Sequence, residues 1–121
     1  MTQAYLLDTN SVIYALKMGL SITPNYHHIS VITELELLSY HRLTASDEVQ
    51  LSQLLSLFVI DDITPAIKTA TIQIRREHRL KLPDSIILAT SQVARLCLIT
   101  GDQKLLNVAG KDGAMLEQVI L

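Results

Sequence analysis

Asp8, Glu36, Asp84 and Asp102 are the residues of this chain best suited to act together in chemistry. They lie far apart in sequence, yet Asp8, Asp84 and Asp102 each stand where an apolar strand gives way to a helix or in a helix's first turn. In a parallel sheet such places converge at the carboxyl edge of the strands, beside a topological switch point. Carboxylates gathered there, with no Lys or Arg at the same strand ends, would repel unless protonated or bridged by cations. Hard oxygen donors favour Mg²⁺ or Mn²⁺ over zinc. Each acid alone also has a plainer explanation, because Asp is favoured at helix starts by capping and by the helix dipole.

The elements that must position these acids alternate between strand and helix. Ala4 to Leu7 reads as a buried strand meeting a helix start at Asp8-Thr9-Asn10-Ser11, and Val12, Ile13, Leu16 and Leu20 recur at helical spacing until the turn residues Gly19 to Pro24. His28 to Ile32 has β-branched character. Thr33 then serves as the N-cap of a helix through Tyr40, with Glu36 in the capping-box position. Glu34 and Glu36 lie about 200° apart around that helix, so only one can face a common site; Glu36 is favoured, with Glu34 as the fallback.

Ser46 and Asp47 open a further amphipathic helix, and Leu57 to Ile60 resembles a third strand ending in an Asp61-Asp62 turn. Thr64 and Pro65 start a helix expected to run to about Leu80. Pro83 and Asp84 begin one that is apolar nearly all round. Leu96 to Ile99 reads as a parallel strand ending in Thr100-Gly101-Asp102, before a short helix through Ala109. Gly110 to Gly113 should turn the chain toward a last strand, Gln118 to Leu121. Right-handed crossovers then give a three-layer α/β/α sandwich with a mainly parallel sheet of about five strands.

Composition limits the alternatives. A chain of 121 residues fits one domain, residues 1–121, and 49% hydrophobic against 18% charged residues argues for a packed core. No apolar run approaches the roughly 18 to 20 residues that cross a bilayer, so a cytoplasmic protein without membrane contact is expected. The single cysteine, Cys97, is read as a buried, inert thiol. A net charge of -2 gives no global attraction to nucleic acid, but Arg75, Arg76, His78, Arg79 and Lys81 gather just before Pro83-Asp84. They are equally a solvated helix end and a phosphate contact. His27, His28, His41 and His78 stand apart from the acidic segments, with His27 and His28 read as turn residues, and form no Ser/His/Asp or Cys/His arrangement.

Four segments, Leu6-Leu7-Asp8-Thr9-Asn10, Ile29 to Leu37, Leu82 to Thr90 and Ile99-Thr100-Gly101-Asp102, together resemble the PIN domain in order and spacing. The small size resembles the VapC-type toxins of type II toxin-antitoxin pairs. The resemblance implies cleavage of RNA with Mg²⁺ or Mn²⁺ as cofactor. It places Asp8, Glu36, Asp84 and Asp102 in the catalytic positions, the metal resting above all on Asp8, Asp84 and Asp102, with Asn10 and Thr100 as polar supports. Arg75, Arg76, Arg79 and Lys81 become candidates for RNA contact. It also implies an antitoxin partner, and the apolar helix faces suggest a homodimer. Two departures touch packing more than ligation: Leu105 stands where an aromatic residue often follows the last acid, and no Gly follows the Glu36 helix.

Two other classes are to be weighed. Another Mg²⁺-dependent phosphoryl-transfer or phosphatase-like domain would need a second acid two residues after Asp8, where Asn10 stands. A non-catalytic binding domain would use the same acids only as helix caps.

Overall fold

The computed structural model describes residues 3–19 and 21–114. Five short strands, β1 (Tyr5–Leu7), β2 (His27–Ser30), β3 (Val59–Asp61), β4 (Cys97–Ile99) and β5 (Gly113–Ala114), form one sheet in the order β3-β2-β1-β4-β5, every neighbouring pair parallel. The order changes direction between β1 and β4, so their carboxyl ends lie side by side at the centre of the sheet.

Among the described residues six α-helices cover the two faces: α1 (Thr9–Met18), α2 (Val31–Leu38), α3 (Ala45–Leu55), α4 (Pro65–Glu77), α5 (Leu82–Ala94) and α6 (Gln103–Ala109). Side chains alternate across a strand, so Leu6 and Leu98 point one way and Leu7 and Ile99 the other. Leu6 and Leu98 pack with Ile67, Ile74, Ile87 and Leu105 of α4–α6. Leu7 and Ile99 pack with Val12, Leu37, Leu51 and Leu55 of α1–α3. The three layers expected from the sequence are thus present. α5, apolar nearly all round, is buried continuously from Ser85 to Ser91.

Several boundaries differ from the sequence reading. β2 begins at His27 and stops at Ser30, which caps α2 by accepting from the Ile32 backbone N–H at 3.1 Å. Thr33 is therefore inside the helix, and the capping box with Glu36 does not form. The β-branched Val31 and Ile32 resemble strand residues, but tertiary pairing decides the limit: β2 meets β3 only from His28 to Ser30. Thr44 caps α3 through a capping box with Asp47. β3 is displaced to Val59–Asp61, and α4 stops at Glu77, three residues before Leu80.

His27 and His28 are strand residues, not turn residues, and Asp61 ends β3 instead of opening a solvated turn. His28 Nδ1 meets Asp61 Oδ2 at 2.8 Å across the β2–β3 pair. Gly113, expected in a turn, starts β5 with Ala114. Leu20 and the strand expected at 118–121 lie outside the described residues. Ser30 is completely buried, so Ser30→Ala should cost about 1 kcal/mol by removing the cap of α2. A urea denaturation midpoint indistinguishable from that of the parent protein would contradict this.

Candidate active site

Each acid reaches the carboxyl edge of the sheet through a local rule. β1 ends at Leu7, and Asp8 is the N-cap of α1: its Oδ1 accepts from the Ser11 backbone N–H at 2.8 Å, and it is only 6% exposed. Its other oxygen, Oδ2, accepts from the hydroxyl of Thr100 at 2.5 Å. Thr100 is fully buried just after β4, and its Oγ1 also accepts from the Asp102 backbone N–H at 3.0 Å. One hydroxyl thereby joins the ends of the two central strands. Asp102 caps α6 by accepting from the Leu105 N–H at 3.1 Å.

Asp84 stands in the first turn of α5, behind Lys81, which occupies the cap position without a side-chain cap. Burial first, then the charges of Asp102, Asp8 and Glu36, push the Asp84 carboxyl above its usual value, and Lys81 opposes them. The other three acids named from sequence therefore all act electrostatically on Asp84. Charge couples them more than contact does: among the described residues no three His, Cys, Asp or Glu side chains stand together as a ready-made metal cage.

Glu36, and not Glu34, belongs to this group. Its Oε1 accepts from the Thr9 hydroxyl at 2.7 Å, and Thr9 Oγ1 lies 3.1 Å from the hydroxyl of the fully buried Thr33. The sequence tied Thr33 to Glu36 only through the capping box that does not form, and Thr9 not at all, because a hydroxyl pair 24 residues apart carries no spacing signal. Asn10 is exposed in the first turn of α1 and makes no side-chain hydrogen bond among the described residues.

The basic segment divides. Lys81 lies within electrostatic reach of Asp84, and the ammonium of Lys104 in α6 donates to the backbone carbonyl of Arg79, tying the α4–α5 connection to α6. Arg75 and Arg76 are exposed in the last turn of α4. Cys97 is half-buried and borders a cavity, so the buried position expected for it is not met; burial together with the nearby charge of Asp112 pushes its thiol up.

Beside Glu36 lies a mainly apolar groove of about 340 Å³, whose walls include Thr9, Ile13, Leu16, Tyr40 and Leu43. A polar cavity of about 480 Å³ flanked by Tyr5, Arg95 and Cys97 lies at the opposite, amino ends of β1 and β4 and holds none of the four acids.

A protein-family model described as PIN domain matches residues 5–111. None of the curated proteins compared with the sequence matches it. Among solved structures, a toxin-antitoxin complex from Klebsiella pneumoniae is 34% identical over 93% of this chain and 97% of that chain, with a TM-score of 0.76. VapBC2 from Rickettsia felis, bound to a DNA fragment from its promoter, is 19% identical over 93% and 97%, with a TM-score of 0.74. VapBC-5 from Mycobacterium tuberculosis is 22% identical over 94% and 98%, with a TM-score of 0.65. The last two share the fold.

Proposed function

This chain belongs to the PIN domain family, and on that premise we propose that it is a metal-dependent endoribonuclease, the VapC-type toxin of a toxin-antitoxin pair. The observation that carries the reading is the convergence of the charges of Asp102, Asp8 and Glu36 on Asp84 at the carboxyl edge of β1 and β4. The donor set fits a hard divalent cation, because every ionisable group in it is a carboxylate and the nearest cation, Lys81, is single. Asp8, Asp84 and Asp102 would hold Mg²⁺ or Mn²⁺, with Glu36 as the fourth acid. When bound, such an ion supplies a hydroxide near neutral pH and positive charge for phosphoryl oxygens.

The chain's own residues prepare that chemistry. Asp8 is held at both oxygens, by the Ser11 N–H and by Thr100, and each oxygen keeps a free lone pair. Asp102 is fixed as a cap. Burial first and then its acidic neighbours push the Asp84 carboxyl up, and a cation would be held by its ionised form, so metal affinity should rise with pH above the carboxyl's ordinary 3.8.

Lys81, Arg79, Arg75 and Arg76 are proposed to meet the RNA backbone, Lys81 closest to the acids. An antitoxin is proposed to cover the apolar groove beside Glu36, in keeping with the toxin-antitoxin relative. A homodimer is part of the same reading. Among the described residues no helix is long and apolar enough to cross a membrane.

The test is incubation of a labelled single-stranded RNA with the purified protein in Mn²⁺ or in EDTA. Cleavage is expected only with Mn²⁺, falling by about 100-fold or more in Asp8→Ala and Asp84→Ala. Cleavage that persists in EDTA, or in both variants, would end the proposal. Calorimetry showing no Mn²⁺ binding would favour the non-catalytic reading, in which the acids are helix caps alone.

A further inference from the structure

We propose that Thr9, backed by Thr33, is a positioning residue that fixes the Glu36 carboxylate at the acidic edge; this rests on the nuclease reading above. The direction of the hydrogen bonds follows from the groups involved. An ionised carboxylate only accepts, so the single hydroxyl hydrogen of Thr9 goes to Glu36 Oε1 at 2.7 Å. Thr9 Oγ1 must then be the acceptor in its 3.1 Å contact with Thr33, whose hydroxyl donates. Thr33 is completely buried and has no access to water. The relay therefore runs from the interior, Thr33 to Thr9 to Glu36, and donors in series polarise one another.

The fold gives this relay its purpose. Glu36 is exposed on α2, and a free Glu side chain would sample many rotamers. Thr33 and Glu36 are three residues apart on one helix and share a face, while Thr9 opens α1 immediately after Asp8. The hydroxyl that holds Glu36 is thus joined by one peptide bond to the buried acid Asp8. Glu36 consequently keeps a fixed relation to Asp8 despite lying on a different helix. The same relay distinguishes Glu36 from Glu34, which points elsewhere around the helix.

The test is a cycle of Thr9→Val, Glu36→Ala and the double variant, read by Mn²⁺ calorimetry, by kcat and KM on the labelled RNA, and by urea unfolding; Ala is used because Gln would keep an oxygen able to accept from Thr9. Thr9→Val should lower Mn²⁺ affinity or kcat by roughly 10-fold, with KM little changed. Thr9→Ser should restore the parent values, and Thr9→Val should add nothing to Glu36→Ala. Parent-like behaviour of Thr9→Val, failure of serine to rescue, or an undiminished effect in the Glu36→Ala background would each overturn the relay. If Thr9→Val does not fold, Thr9→Ala takes its place. A parent protein that neither binds Mn²⁺ nor cuts RNA would sink the nuclease reading instead. The unfolding cycle would then decide the relay: additive losses overturn it and coupled losses support it.

Discussion

Replacing Asp84 by Asn is expected to reduce RNA hydrolysis by about 10²- to 10³-fold while leaving the metal-free protein no less stable than before. The two outcomes separate because the same environment acts on both. Burial and the charges of Asp102, Asp8 and Glu36 raise the Asp84 carboxyl, so its ionised form is less favourable in the folded protein than in the unfolded chain. The folded state therefore holds the proton more tightly. Below the ordinary value of 3.8 this group costs nothing; as pH climbs from there through the raised value a penalty accumulates, and it persists at neutral pH.

Asn carries no charge and escapes that penalty. It also forgoes a favourable interaction with the N-terminus of α5, about 0.3–1 kcal/mol, which partly offsets the gain. The net expectation near pH 7 is a thermal midpoint unchanged or raised by up to about 3 °C. At pH 4 the difference between the two proteins should shrink. Thermal unfolding in EDTA at both pH values, with hydrolysis assayed in Mn²⁺, checks this. A large loss of metal-free stability in Asp84→Asn would show that the carboxylate serves the fold and not an ion.

How much of this could be read from the chain depended on whether the signal was local. Thr64-Pro65, the apolar run of α5 and the strand-then-Asp patterns at Asp8 and Asp102 are contiguous, and each marks its element nearly to the residue. The order of elements, and hence the parallel sheet, followed from their alternation. What escaped was set by partners distant in sequence. Ser30 ends β2 because β3 stops beside it at Asp61, and no property of Val31 or Ile32 announces that. His28 is a strand residue because it pairs with Leu6 and Val59, 22 and 31 positions away. Glu36, favoured over Glu34, is the one of the two whose charge raises Asp84, although the capping box expected for it does not form; Thr9 and the Asp84 environment, both tertiary, are what single it out.

Asp8→Ala should behave differently from Asp84→Asn, losing activity and stability together. Asp8 caps α1 through the Ser11 N–H and accepts the buried hydroxyl of Thr100. Loss of the cap costs about 1 kcal/mol, and leaving the Thr100 hydroxyl without an acceptor costs about 1–3 kcal/mol more. Relief of repulsion with Asp84 returns part of this, so a net loss of roughly 2–3 kcal/mol is expected, near 10 °C in thermal midpoint. Asp8→Asn distinguishes the contributions. Its amide oxygen can still accept from Ser11, preserving the cap, while its NH₂ faces a Thr100 hydroxyl that already accepts from the Asp102 N–H. That variant should lose about half as much stability and all measurable hydrolysis. Equal stability losses in the two variants would overturn the capping account. Hydrolysis surviving in Asp8→Asn would remove Asp8 from the metal-holding set, since the charge that would hold the ion has been taken away.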